Sequence, residues 1–203
     1  MSGLRERWRL KAMRAIQERA LDLFDERGFA AVTIEEVAAA AEVSPSSVYR
    51  IFGTKEGIVV TDIEFDAMSP EALAGIFDPA DPVGSLVQAV RAYEAPQGDG
   101  PPGDGPQAGK GPWRRVRYFF AEPSVRMAVC ATLDRAGQRL TPVIAERGGV
   151  NETQARVIAN ALAFGYFAAL EQWYLDGGER PIAAYVEDGL RPLRGVLDTS
   201  SHQ

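Results

Sequence analysis

Two helix-start signals follow one another closely near the N-terminus of the sequence. Thr33 opens the segment TIEE, in which Glu36 completes a capping box, an arrangement that satisfies exposed backbone N–H groups at a helix start. Ser44 is followed by Pro45, which suits the first helical position because its missing N–H costs no hydrogen bond there. Gly53 then ends the segment. The pattern predicts two short helices joined by a tight turn, a helix-turn-helix.

The second of these short helices has two contrasting faces. Val48, Ile51 and Phe52 recur at helical spacing and form an apolar stripe, whereas Tyr49 and Arg50 lie on the other side. A helix of about two turns is marginal alone, so neighbouring elements must hold its apolar stripe and leave the polar side presented. This predicts a recognition face. The residues alone leave open that Tyr49 packs on the core and that Arg50 is a solvated charge.

The remaining sequence shows helical periodicity and no pattern typical of a strand, so the predicted fold is all-α. Residues 95–112 contain six Gly and five Pro and no large apolar residue, which predicts a mobile loop because such a segment cannot offset its ordering entropy. We expect an N-terminal domain of three helices over residues 1–54 and a second helical domain over residues 55–203. Helices are predicted over 8–27, 55–68, 82–94, 113–121, 123–147, 152–175 and 181–197.

Positive charge is concentrated at the N-terminal end of an acidic chain. The net charge is -6, yet the first twenty residues hold six Arg or Lys and two Glu. This argues against a protein that coats nucleic acid generally and favours one end that meets a polyanion. The arm with Arg5, Arg7 and Arg9 is either a disordered tail or a segment that enters a minor groove, and the sequence leaves both open.

The sequence predicts a cytoplasmic protein that does not cross a membrane. The single Cys130 cannot form an intramolecular disulfide, and no apolar run follows the early basic residues. The longest apolar tract, residues 157–170, is interrupted by Asn160 and falls short of the roughly 20 residues that cross a bilayer. It is interpreted as a buried helix.

Motifs of catalysis are absent from the sequence, so we predict no enzyme, no cofactor and no metal site. GDGPPG at residues 98–103 matches GxGxxG formally, but it follows no strand and contains two prolines. Gly109 and Lys110 lack the Ser or Thr that follows the lysine of a phosphate-binding loop. The only histidine, His202, lies in the tail, which excludes a Ser-His or Cys-His pair.

A set of short segments between residues 10 and 60 occurs in a characteristic order and spacing. They are ALDLF (20–24), Gly28-Phe29, VTIEEVAAAA (32–41), Val43-Ser44, Val48-Tyr49, Phe52 and Lys55-Glu56. Through these segments, residues 10–60 closely resemble the DNA-binding domain of the TetR family of bacterial transcriptional regulators, and ALEQWYLDGG (169–178) is similar to some members. The resemblance implies an all-helical homodimer whose larger domain binds a small molecule and thereby changes the separation of two recognition helices. Repression is the commoner outcome in this family.

The resemblance implies roles for individual residues. Tyr49 and Lys55 match positions that usually contact phosphate, and a lysine at a helix start opposes the helix dipole without structural benefit, which favours phosphate contact. Two departures stand out: Glu42 replaces a usual turn glycine, and the acidic Glu35 occupies a position that reads bases through a basic residue in some members. The predicted DNA-binding residues are Thr33, Ser44, Pro45, Ser46, Ser47, Tyr49, Arg50 and Lys55.

The second domain is expected to pair with a second copy and to bind a lipophilic or aromatic effector. Small residues allow close helix approach, which predicts a dimer interface at Ala159, Ala163, Gly165, Ala169 and Trp173, although the same residues could belong only to the internal core. A non-catalytic protein-interaction module is the main alternative function, and a small-molecule enzyme a further one. The candidate pocket residues, which could equally be ordinary core, are Phe65, Met68, Tyr93, Trp113, Tyr118, Phe119, Met127, Phe164 and Phe167.

Overall fold

The protein is all-α, as predicted. The computed structural model describes residues 2–78, 80–94 and 112–198, and this part of the chain contains helices, turns and no strand. The predicted loop over 95–112 lies outside the described residues except for Pro112, as do the side chains of Arg5 and Trp113. The α-helices are α1 (Ser2–Arg27), α2 (Ile34–Ala40), α3 (Pro45–Phe52), α4 (Lys55–Val60), α5 (Ile63–Ala67), α6 (Pro70–Ile76), α7 (Pro82–Glu94), α8 (Val116–Ala121), α9 (Pro123–Gly148), α10 (Glu152–Leu175) and α11 (Ile182–Asp198), with a 3-10 turn at Pro112–Arg115.

The chain divides into two compact units. The first consists of Met1–Ala67 and Tyr118–Val129, and the second of Met68–Arg117 and Cys130–Gln203. The first unit is therefore larger than the predicted domain over 1–54, because α4 packs against α1 and buries Ile58 and Val59 completely.

The core of the first unit is built from one face of each of its helices. α1 contributes apolar residues at helical spacing, α2 packs against α1, and α3 packs against α2 and α4 with a short apolar face. Burial of this surface stabilises helices that would be too short to form alone. The buried residues of α1, α2 and α3 include Met13, Ile16, Ala20, Phe24, Val37, Ala38, Val48 and Phe52.

An aromatic cluster ties the segment 118–129 into the first unit. The rings of Phe24 and Phe29 meet edge to face with centroids 4.9 Å apart, and the ring of Tyr118 lies 5.9 Å from that of Phe24. The Tyr118 hydroxyl donates a hydrogen bond to the Asp25 carboxylate, so the one polar group of these three rings has a partner. Tyr118 had been predicted to line a ligand pocket.

The predicted helix over 55–68 is interrupted at Thr61 and Asp62. The Asp62 carboxylate accepts the backbone N–H of Phe65 at 3.0 Å and so starts α5 as a new helix. The side-chain amide of Gln17 donates to the carbonyl oxygens of Ile58 at 2.6 Å and Thr61 at 3.1 Å. This side chain from α1 therefore satisfies carbonyls at the end of α4.

The second unit packs α7, α10 and α11 against one another. α11 buries Ile182, Val186 and Leu190, while the carboxylate of Glu94 accepts the N–H groups of Ile182 at 2.6 Å and Ala183 at 3.1 Å. Glu94, at the end of α7, thus caps the start of α11 from another helix and places a negative charge at its positive dipole end.

Among the described residues, no helix is both long enough and apolar enough to span a bilayer. The apolar tract at 157–170 belongs to α10, whose buried residues include Leu162, Phe167 and Leu170. The tract is a helix, as predicted, but it is buried only in part, because Val157 and Phe164 are exposed.

Candidate nucleic-acid interface

The start of α2 is fixed by the predicted capping box. The Thr33 hydroxyl accepts the backbone N–H of Glu36 at 3.2 Å, and the Glu36 carboxylate accepts the backbone N–H of Thr33 at 2.8 Å. Arg27, the last residue of α1, adds an ion pair to Glu36 at 2.8 Å. The Thr33 N–H, the Arg27 guanidinium and the Thr33 hydroxyl together lower the pKa of Glu36 from 4.5 to about 2.

Glu36→Gln is expected to lower the stability of the protein at neutral pH and to leave it unchanged in strong acid. The pKa of Glu36 is lower in the folded chain, so its ionised carboxylate stabilises the fold above about pH 4.5, and this contribution is lost as the pH falls towards about 2. Glutamine keeps the shape of the capping box without the charge. Urea denaturation of both proteins at a series of pH values measures the difference. If the two proteins differed in free energy of unfolding by the same amount across the acid range, the ionised Glu36 carboxylate would not be the stabilising group.

The turn between α2 and α3 has a left-handed residue that is not glycine. Glu42 has φ 55°, and the backbone N–H of the following Val43 donates to the carbonyl of Ala38 at 2.9 Å. Glycine is the usual residue at this position in the family that residues 10–60 resemble. The structure confirms that the backbone of Glu42 adopts the conformation that glycine adopts without strain.

Glu42→Gly is expected to raise the free energy of unfolding by about 1 kcal/mol, because a side chain in the left-handed region costs roughly 1–2 kcal/mol and glycine recovers part of that. Glu42→Gln is the matched control, since it removes the charge and keeps the strained Cβ. Thermal or urea denaturation of the three proteins measures the effect. If both variants gained the same stability, the negative charge of Glu42 rather than its left-handed backbone would be the source of the destabilisation.

α3 begins and ends at the predicted residues and presents two faces. The Ser44 hydroxyl accepts the backbone N–H of Ser47 at 3.3 Å, and Gly53 ends the helix with φ 73°. Val48 and Phe52 are buried, whereas Tyr49 remains 47% exposed. Pro45, Ser46 and Arg50 are also exposed, and Ser47 is half-buried. Exposure of Tyr49 excludes the alternative in which its whole ring packs on the core.

The hydroxyl groups at the start of α3 form a small polar cluster. The Ser44 hydroxyl lies 3.0 Å from that of Ser46 and 2.9 Å from that of Ser47. Three hydroxyls that can each donate or accept lie together at the N-terminus of the helix. Such a group suits phosphate oxygens or base edges, both of which are recognised through short polar side chains.

Tyr49 contacts α2 through its hydroxyl. The hydroxyl donates to an oxygen of the Glu35 carboxylate at 3.4 Å, and Glu35 is itself exposed. Glu35 and Tyr49 belong to different helices, so no local sequence pattern could have predicted this contact. It places a negative charge beside the exposed face of α3.

Lys55 has a structural role that the sequence analysis did not predict. Its ammonium group donates to the carbonyl oxygens of Phe29 at 2.7 Å and Val32 at 2.9 Å, with Ala30 at 3.5 Å, and lies 4.4 Å from the centre of the Phe29 ring. The expectation that a lysine at this helix start brings no structural benefit was wrong, because the charge satisfies carbonyls of the turn between α1 and α2. The unfavourable position of Lys55 at a helix start therefore no longer favours a phosphate contact.

The basic N-terminal arm is helical. α1 begins at Ser2, and Arg7 and Arg9 are exposed on it. A helix with its side chains is about 10–12 Å wide, whereas the minor groove is about 6 Å wide. The arm is thus not a disordered tail, and as a helix it does not fit a minor groove.

The predicted dimer residues are covered within the chain itself. Ala159, Ala163, Ala169 and Trp173 are buried. A Cβ added to Gly165 would lie 2.4 Å from the Leu190 side chain of α11, so the close approach that small residues permit is made between α10 and α11 of one chain.

A different face of α10 exposes large apolar side chains. Val157 is 64% exposed, Phe164 41% and Leu175 69%. Together with Ala161 and Ala168 they are spaced by four, three, four and seven residues, the last step passing over Glu171. Apart from that charged position, this is the heptad spacing of a helix that pairs with another helix. We refer to these five residues as the α10 stripe.

The structure distributes the predicted pocket residues over both units. Phe65, Tyr118, Phe119 and Met127 belong to the first unit, and Met68, Tyr93, Phe164 and Phe167 to the second. Met127 is 73% exposed, so its side chain does not line a closed cavity in this structure. Within the second unit Tyr93 is half-buried, its hydroxyl lying 3.4 Å from the guanidinium of the buried Arg115.

In the part of the chain that is described, no group of three or more His, Cys, Asp or Glu residues could hold a metal ion.

The comparisons with known proteins agree with this geometry. Residues 16–60 match the family described as bacterial regulatory proteins, tetR family. No curated protein matches the sequence significantly.

Among solved structures, native NalD of Pseudomonas aeruginosa, the secondary repressor of the MexAB-OprM multidrug efflux pump, is similar with a TM-score of 0.55 and 18% identity over 90% of this chain and 94% of that one. A second NalD structure has a TM-score of 0.51 and 19% identity over the same shares. Thermus thermophilus FadR, a TetR-family transcriptional repressor in complex with lauroyl-CoA, has a TM-score of 0.48 and 18% identity over 88% and 91%. The NalD structures show that the chain shares the fold of NalD, with an N-terminal helix-turn-helix and a C-terminal helical domain. Residues 16–60 are the part of the chain that matches the tetR family of bacterial regulatory proteins.

Proposed function

We propose that the protein is a DNA-binding transcriptional repressor. In this proposal it acts in the cytoplasm as a homodimer and leaves a palindromic operator when a small lipophilic or aromatic molecule binds its second unit. The observation that carries the proposal is α3, a two-turn helix whose buried Val48 and Phe52 hold it in place while Tyr49 and Arg50 face solvent. NalD, which has the same fold, is described as a repressor, and this supports repression as the outcome.

The exposed groups of α3 supply both kinds of contact that DNA recognition needs. The arginine at position 50 can donate two hydrogen bonds to a guanine or pair with a phosphate. The hydroxyl cluster of Ser44, Ser46 and Ser47 offers neutral donors that suit phosphate oxygens. Tyr49 is proposed to contact DNA through its exposed ring, because its one hydroxyl proton goes to Glu35. Thr33 and Pro45 lie at helix starts, where exposed backbone N–H groups favour anions. Lys55 contributes by fixing the turn before Thr33.

Dimerisation in this proposal uses the α10 stripe. An exposed apolar seam with coiled-coil spacing buries its surface when the same helix of a second copy lies against it, which gives a symmetric interface. Two copies of α3 then enter successive major grooves about 34–36 Å apart. Phe164→Asp is expected to convert the protein to a monomer in sedimentation equilibrium, while Ile76→Asp, at an equally exposed apolar residue of α6, leaves the dimer intact. A dimer that survives Phe164→Asp would contradict this interface.

An effector site in the second unit is proposed from its apolar and aromatic side chains. Met68 and Tyr93 are half-buried there and Phe167 is buried, which suits an apolar or aromatic molecule with a polar group near the Tyr93 hydroxyl. Release from DNA requires the molecule to bind one dimer geometry more tightly than the other. A panel of such compounds should raise the melting temperature and lower DNA affinity together, and a panel without effect on either would count against a lipophilic effector.

The proposed function is tested by selecting DNA fragments from the genome that encodes the protein. The wild-type protein is expected to enrich a few discrete palindromic sites, and Arg50→Ala to enrich none of them. Arg135→Ala removes an exposed arginine from α9 and serves as the control, which should enrich the same sites as wild type. Enrichment of no site by the wild-type protein would favour a protein-interaction module.

A further inference from the structure

We infer that Glu35 determines operator sequence by accepting a hydrogen bond from a cytosine amino group in the major groove. This inference rests on the proposed function and assigns Glu35, which lies outside the predicted DNA-binding set, a place in recognition. It starts from the position of the Glu35 carboxylate, exposed on α2 and 3.4 Å from the Tyr49 hydroxyl of α3.

A carboxylate at this position carries a cost for a protein that binds DNA. It lies beside the presented face of α3 and repels phosphates whatever the DNA sequence. Its location in the first turn of α2 offers only the small gain that any acidic residue makes at a helix N-terminus. Glu36 makes a gain of the same kind in that turn. The helix start therefore offers Glu35 only a small benefit against the repulsion of phosphates.

The contact with Tyr49 keeps the Glu35 carboxylate beside the exposed face of α3. The Tyr49 hydroxyl occupies one Glu35 oxygen, which leaves the remaining acceptor positions of the carboxylate for another donor. In the major groove the donors are the amino groups of cytosine and adenine. Beside the adenine amino group lies an acceptor nitrogen that repels a carboxylate, so cytosine is the base that Glu35 selects.

Substitutions that separate charge from hydrogen bonding test the inference. Glu35→Ala removes the acceptor, and Glu35→Gln replaces it with an amide, which suits the donor and acceptor pair of adenine. Glu42→Gln removes one negative charge from the nearby turn and is the matched control, since Glu42 is exposed and has no role in the proposed contact.

The experiment is selection from a pool of DNA duplexes with a randomised half-site, followed by sequencing, with the wild-type protein and the three variants. The wild-type consensus is expected to contain a cytosine whose preference falls about five- to tenfold in Glu35→Ala, the lower range for a base contact. Glu35→Gln should shift that position to adenine, and Glu42→Gln should select the wild-type consensus with higher affinity.

A wild-type consensus that Glu35→Ala selects unchanged would overturn the inference and leave the proposed function standing. The same holds if the altered position prefers a base other than cytosine in the wild-type protein. Failure of the wild-type protein to select any consensus would overturn the proposed function and this inference with it.

Discussion

Gly57→Ala is expected to lower the free energy of unfolding by about 3 kcal/mol and to abolish DNA binding. A Cβ at residue 57 would lie 1.9 Å from the carbonyl oxygen of Phe52 and 3.0 Å from its carbonyl carbon. Phe52 is the last residue of α3 and is buried, so neither backbone can yield without displacing the recognition helix. Urea denaturation measures the loss of stability, and fluorescence anisotropy on operator DNA measures the loss of binding.

Gly75→Ala is the control for this substitution. Gly75 lies in α6, and an added Cβ there meets no atom within 4 Å. Alanine is the better helix former by about 1 kcal/mol, so Gly75→Ala should keep or raise stability. If Gly57→Ala were as stable as Gly75→Ala and bound DNA normally, the junction between α3 and α4 would not have the close approach described.

Lys55→Met is expected to cost about 2 kcal/mol of stability, because it removes a charged donor from carbonyl oxygens that are partly shielded from water. The carbonyls of Phe29 and Val32 lie 2.7 Å and 2.9 Å from the ammonium group, and methionine keeps the apolar stem of the side chain. Lys55→Arg retains a charged donor and should lose less. Urea denaturation of the three proteins provides the measurement.

The salt dependence of DNA binding separates the two roles considered for Lys55. A residue that only fixes the turn leaves the slope of log K against log salt unchanged, whereas loss of one phosphate contact reduces that slope by about one. Lys55→Met with wild-type stability and a reduced slope would contradict the structural role and support a phosphate contact instead.

Local signals in the sequence predicted the elements of the helix-turn-helix well. The starts of α2 and α3 follow from side chains within three residues, namely the Thr33 capping box and the Ser44-Pro45 pair. The pair Ser69-Pro70 carries the same signal, with the Ser69 hydroxyl accepting the N–H of Ala72, yet α6 was not predicted. Only Leu73 of its seven residues is a buried apolar residue, so it lacks the periodicity that supported the other helices.

Contacts between distant residues could not be predicted. Gln17 reaches the end of α4, Lys55 reaches the turn after α1, and Tyr49 reaches Glu35 of the preceding helix. Each of these depends on how helices pack, which side-chain spacing within one helix does not specify.

The faces of α10 illustrate the same limit. The helix is apolar on most sides, and its small residues were expected at a dimer interface. Gly165 and Ala169 instead approach Leu190 and Gly189 of α11 in the same chain. Val157, Phe164, Tyr174 and Leu175 are large apolar side chains of α10 that remain exposed. The sequence alone predicts that such a helix is covered on several sides but does not tell which side α11 covers.

The most direct test of α3 as a recognition helix is fluorescence anisotropy of the protein on DNA from immediately upstream of its own gene, with scrambled DNA as the competitor and salt as the variable. We expect tight binding to the upstream DNA that weakens steeply as salt rises. Binding should fall to the level of scrambled DNA in Tyr49→Ala and Arg50→Ala, while Arg135→Ala should bind as wild type. Equal binding of wild type, Tyr49→Ala and Arg50→Ala to both DNAs would contradict the assignment of α3 as a recognition helix.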